Sequence, residues 1–146
     1  MISNWRYLVA IIGIAAVAAI AFSKMHMASP PAELDLARSK PSEKGIFAVS
    51  IELEAGGDVK QGELHNWIVA VKTPDSKAVD GAKITVDGGM PQHGHGLPTA
   101  PQMTGELGEG RYRVEGVKFN MGGWWELKFA ISAPQGDDRV VFNLVL

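Results

Sequence analysis

The side chains best suited to chemistry lie in Gly89-Met90-Pro91-Gln92-His93-Gly94-His95-Gly96-Leu97-Pro98. Two imidazoles stand one residue apart between glycines, with a thioether just upstream. In extended backbone, residues i and i+2 point to the same side, so His93 and His95 can converge on one ion. Gly94 and Gly96 remove bulk and allow unusual dihedrals. Imidazole suits copper, zinc, iron or nickel, and thioether suits Cu(I). The chain has no cysteine. That excludes thiolate sites, Fe–S clusters and haem attachment through cysteine. Carboxylates are scarce in the loop, which argues against calcium or magnesium. Copper therefore comes before zinc. The opposing reading is a glycine- and proline-rich surface loop whose histidines are merely solvated.

The elements that must position these residues follow from hydrophobic periodicity. From Gly45 the apolar pattern has period two, with Phe47, Val49, Ile51 and Leu53 on one face. Further strands are expected over 65–71, 82–86, 103–107, 111–119, 124–131 and 140–146. Turn chemistry separates them, notably Thr73-Pro74-Asp75-Ser76, Asp87-Gly88-Gly89, Gly108-Glu109-Gly110 and Pro134-Gln135-Gly136-Asp137. No sustained helical period follows residue 44. About seven short strands of this kind predict an all-β, immunoglobulin-like antiparallel sandwich.

If consecutive strands run antiparallel, the connections 56–62, 88–102 and 119–122 share one end. That end then collects His65, Met90, His93, His95, Met103 and Met121, and the other end holds no histidine or methionine. Thioethers at strand ends are ordinarily packing residues, and His65 has an alternative place on an exposed strand face. Trp124 and Trp125 point to opposite faces; one belongs to the core, and the other can cover a site or meet a partner. Trp67 is expected in the core. The first strand starts away from the candidate site, so the chain is expected to enter the domain at the opposite end.

The first 44 residues differ from the rest. Residues 8–22 carry no charge and follow Trp5-Arg6-Tyr7. As a helix, residues 5–22 would reach about 27 Å, near the lower limit for a bilayer span. Residues 1–24 are read as a transmembrane anchor or a signal peptide, with Ala19-Ile20-Ala21 as a small-x-small cleavage pattern. Residues 25–44 are read as a flexible tether and 45–146 as the domain. The domain would lie in the periplasm, held at the inner membrane through residues 5–22, or free if that segment is cleaved. Met25-His26-Met27 is a second ligand-like run in the tether. A net charge of -2 gives no footprint for nucleic acid. No nucleophile–base spacing is visible, so no enzyme is expected.

One spaced set carries a resemblance. It comprises Gly81-Ala82-Lys83-Ile84, Met90-Pro91-x-His93-Gly94-His95-Gly96, Gly110-x-Tyr112-x-Val114 and Phe119-x-Met121-x-Gly123 with a following tryptophan. Over residues 45–146 this resembles the YtkA-like domain family, which is related to FixH. The resemblance implies an exported immunoglobulin-like sandwich that is not an enzyme. It also implies a link to copper handling or to assembly of respiratory oxidases, since FixH is associated with cbb3-type oxidase maturation. Met90, His93, His95 and Met121 are the positions that match its motif. The functional expectation is a copper-binding domain using His93 and His95, completed by Met90 or Met121, with His65 as a substitute. Its partner would be a respiratory oxidase or another copper-receiving protein. The alternative is a metal-free assembly module that binds a partner through Trp124 and Trp125.

Overall fold

The computed structural model describes residues 30–146. The segments read as a membrane anchor or signal (5–22) and as a second ligand run (25–27) lie outside the described residues. Among the described residues no helix is long and apolar enough to cross a membrane.

Among the described residues nine antiparallel strands form two sheets: β1 (Ser39–Pro41), β2 (Ala48–Leu53), β3 (Leu64–Lys72), β4 (Lys83–Met90), β5 (His95–Gly96), β6 (Gln102–Gly108), β7 (Arg111–Lys118), β8 (Trp124–Ala133) and β9 (Gly136–Val145). One sheet has the order β1-β2-β3-β7-β6, the other β5-β4-β8-β9. The architecture is the expected immunoglobulin-like sandwich, with seven strands where period two and turn chemistry place them and two short additions, β1 and β5.

The core is the sum of the inward faces. Phe47, Val49 and Ile51 meet Trp67, Val69 and Val71 in one sheet; Trp125, Leu127, Phe129 and Ile131 meet Phe142 and Leu144 in the other. Alternation along β8 puts Trp125 inside and leaves Trp124 half-buried on the outer face. Both Trp67 and Trp125 are buried. On β7 the period slips once: Trp67 pairs with Val114 but His65 pairs with Val117. This bulge at Gly116 (φ 85°) gives β7 one extra residue, and so Val117 and Phe119 face the core beyond it. Tyr112 is also buried; its hydroxyl donates to the Val79 carbonyl and accepts from the Ala82 amide, tying the 79–82 connection to β7.

Three expectations are corrected. β4 does not end at Asp87-Gly88-Gly89 but runs through both glycines to Met90. Residues 39–44 belong to the sandwich, not to the tether. β1 pairs with β2, and Ser42 is buried. The chain also enters at the end opposite to the one expected. β1 is antiparallel to β2, with Ser39 opposite Ser50 and Pro41 opposite Ala48. Residues before Ser39 therefore lie toward the Leu53 end of β2, the end where β3 begins and β4 finishes. The expectation took β2 for the first strand, and β1 reverses the direction of entry.

At the far end, Asp138 joins the sheets. It is 4% exposed and accepts from the Lys44 amide at 3.0 and 3.1 Å, the Ile46 amide at 3.3 Å and the Arg139 amide at 2.8 Å. Burial alone would raise its pKa. Hydrogen bonds from the Ser42 hydroxyl and these amides outweigh that and hold it below the ordinary value.

Candidate metal centre

The loop after β4 is short because β4 is long. The amides of His93 and Gly94 both donate to the Met90 carbonyl, at 3.1 and 3.0 Å, closing a tight turn. Gly94 takes φ 66° in that turn, a conformation open to glycine. β5 then folds back on β4, with Gly96 opposite Gly89 and His95 opposite Met90. The Leu97 amide completes the arm by donating to the Gly88 carbonyl at 3.1 Å.

This close approach depends on Gly89. A β-carbon there would lie 2.5 Å from the His95 carbonyl oxygen and 3.1 Å from Gly96 Cα. Gly89→Ala is therefore expected to lift β5 from β4 at a cost of about 1–3 kcal/mol. Hydrogen–deuterium exchange at the Leu97 amide checks it: exchange should quicken there while the β8–β9 ladder stays protected.

The arm sets two imidazoles side by side. The His93 and His95 ring centroids are 5.8 Å apart with planes inclined by 37°. Both residues are exposed. His95 Nδ1 lies 3.1 Å from the Gly96 carbonyl. A carbonyl only accepts, so Nδ1 carries the proton and Nε2 presents its lone pair. A metal-binding histidine commonly has this arrangement, one nitrogen anchored to a backbone carbonyl and the other free. The His93 ring has no hydrogen bond among the described residues, and only its backbone amide is engaged.

Beneath the pair are sulfur and aromatic rings. Met90 is directly opposite His95, and such residues hold their β-carbons about 4.5–5.5 Å apart on one face. Met90 is 1% exposed, and its methyl group lies 3.0 Å from where a β-carbon on Gly123 would stand. His95 meets the edge of Trp125 at 5.7 Å, and Trp125 meets Phe119 at 5.3 Å. The Trp125 indole N–H donates to the Met121 carbonyl at 3.0 Å. Trp125 thus forms the floor of the loop. It is 0% exposed and presents no surface to a partner, which corrects that expectation. Trp124 keeps part of its ring outside, with its N–H on Asn143 at 3.0 Å.

The expected common end exists, and within it the structure separates the candidates. His93, His95 and Met90 come together. Met121 shares the end, but its side chain packs against the core and its carbonyl is engaged by Trp125. His65 faces Phe119 at 6.3 Å, and its Nε2 lies 2.9 Å from the Lys60 carbonyl. The Phe119–Trp125 pair stands between His65 and His95. Met103, on β6 in the other sheet, is half-buried against the core.

Among the described residues no three of His, Asp or Glu come together as a metal-binding group. Two imidazoles with a thioether below remain, a donor set that fits Cu(I) better than a hard or strongly charged ion. Sequence reasoning missed the carbonyl anchor of His95 and the aromatic floor. The anchor comes from the adjacent residue but needs the ring rotamer that the structure shows, and the floor depends on contacts between strands.

No curated protein and no solved structure matches the chain. The YtkA-like family model matches residues 43–130, from the connection after β1 to Ala130 in β8. With that match spanning more than half of its sequence, the chain belongs to the YtkA-like family.

Proposed function

We propose that this protein is an exported copper-binding domain, tethered to the inner membrane through residues 5–22 or released into the periplasm. It holds one Cu(I) on His93 and His95, with Met90 as the sulfur donor. The observation that carries this reading is the juxtaposition of the two open imidazoles above a buried thioether on a short hairpin arm. An exposed pair on one arm suits exchange better than permanent storage. The role is therefore delivery or sequestration, with a respiratory oxidase or another copper-receiving protein as partner. Binding rather than catalysis is the activity.

The test is a competition titration of the full chain with Cu(I) and with Cu(II), read together with proton NMR of the histidine rings. The expected result is one equivalent of Cu(I), held more tightly than Cu(II). The ring signals of His93 and His95 should shift, and those of His65 should not. Absence of binding beyond the competitor would sink the reading. The end of the sandwich would then serve as a metal-free assembly surface.

A further inference from the structure

The chain enters the sandwich at the candidate metal end. The Arg38 carbonyl accepts from the Ile51 amide at 2.9 Å, which continues the β1–β2 pairing toward Leu53. Three residues earlier, the Asp35 carbonyl accepts from the Asn143 side-chain amide at 2.9 Å, near the close of β9. Asn143 in turn accepts from the Trp124 indole N–H. Asp35, Asn143 and Trp124 therefore form a connected hydrogen-bonded row at that end.

The same end carries exposed apolar side chains among its polar ones. Val145 is directly opposite Trp124 on the outer face and is 52% exposed. Leu36, next to Asp35, is 51% exposed. Leu64, at the start of β3 on the outer face of the other sheet, is 66% exposed. Of the large apolar side chains left exposed among the described residues, Leu107 alone lies at the opposite end.

The length of chain before Asp35 names what covers this surface. The uncharged run ends at Phe22, and twelve residues, 23–34, separate it from Asp35. Fully extended, they span at most about 40 Å. A ten-residue strand such as β8 is itself about 34 Å long. The tether is thus long enough to let the domain turn, but it is fixed to the domain at the metal end, which gives that end the shorter path to the bilayer. An amphipathic tryptophan beside exposed Leu and Val is the composition that settles at a bilayer interface.

We propose that the Leu36–Trp124–Val145 rim docks on the bilayer surface, so that His93 and His95 face the membrane and exchange metal with a site close to it. This rests on the tethered form of the function proposed above. The chain has no cysteine, so single labels are direct to place. Glu63→Cys marks the metal end and Gln135→Cys the far end, both at exposed positions. Each full-length variant carries a nitroxide and is reconstituted in phosphatidylethanolamine–phosphatidylglycerol vesicles with a gadolinium chelate on some headgroups.

The expected result is relaxation enhancement several-fold stronger at residue 63 than at residue 135. Adding Leu36→Ser and Val145→Ser should shrink that contrast and leave copper titration unchanged. Equal enhancement at the two positions, or none at either, overturns the proposal. A contrast that survives the serine pair overturns the docking rim, because the tether alone would then set the orientation. The vesicle measurement involves no metal, so its failure is distinguishable from failure of copper binding.

Discussion

The His93→Ala/His95→Ala chain should lose Cu(I) affinity by at least about 100-fold and keep its stability within about 0.5 kcal/mol. Loss of affinity follows because the pair supplies both nitrogen donors of the proposed site, and a single thioether is a weak ligand alone. Retained stability follows from exposure: neither ring fills the core, and the arm is pinned by backbone bonds that the substitutions leave intact. Single variants should fall between the parent and the double variant. Met90→Leu conserves volume at a buried position and should cost less than about 1.5 kcal/mol. It should weaken Cu(I) and leave Cu(II) almost unchanged, since only the softer ion gains from sulfur. His65→Ala should leave affinity unaltered, because Phe119 and Trp125 separate it from the pair. Competition titration beside thermal melts reads all five variants. If His65→Ala matched the double variant, the ligand set would be wrong.

Asp138→Asn should lower stability by about 2–3 kcal/mol, roughly 10 °C in Tm, and leave copper affinity unchanged. The carboxylate accepts from several amides at once, joining the 42–46 connection to β9. A carboxamide keeps the shape but turns an NH2 group toward those donors, and it removes the charge that strengthens each bond. The pH dependence carries a sign. The folded-state pKa lies below the ordinary 3.8, so the unfolded chain takes up a proton more readily near that value. The stabilisation is then complete above the unfolded pKa and is lost as pH falls through the folded one. Melts of parent and variant should therefore differ most near neutral pH and converge in acid. A constant gap down to the acid limit would show that the charge is not what matters. Asp138 lies at the end of the sandwich away from His93, so this loss of stability also serves as a control for the binding variants.

How far the site was legible depends on which forces place each part. The His-Gly-His pair, its thioether and their common end with Phe119 and Met121 follow from residue types and strand parity. That parity held because the two additional strands did not change the alternation of β2, β3, β4, β6, β7 and β8. The end of β4 was misread because Gly88-Gly89 carries a turn composition. Here Gly89 instead gives the β5 arm room to approach, since a β-carbon on it would lie 2.5 Å from the His95 carbonyl oxygen, while one on Gly88 would lie 2.5 Å from the Glu126 carbonyl oxygen of β8. His65 was not separable from the pair by spacing, since two aromatic rings from different strands divide them.

The sequence by itself determined the sandwich, its inward residues and the grouping of imidazole and sulfur at one end. Period-two burial and turn chemistry are local, and they repeat often enough to agree with one another. Only the tertiary structure decided which ligands meet, which tryptophan is hidden and where the chain enters. β1 joins the sheet through backbone hydrogen bonds to β2 and has no alternating apolar signature. Asp138 and Asn143 gather partners about a hundred residues away. Such contacts arise when two sheets pack, and no window along the chain contains both partners.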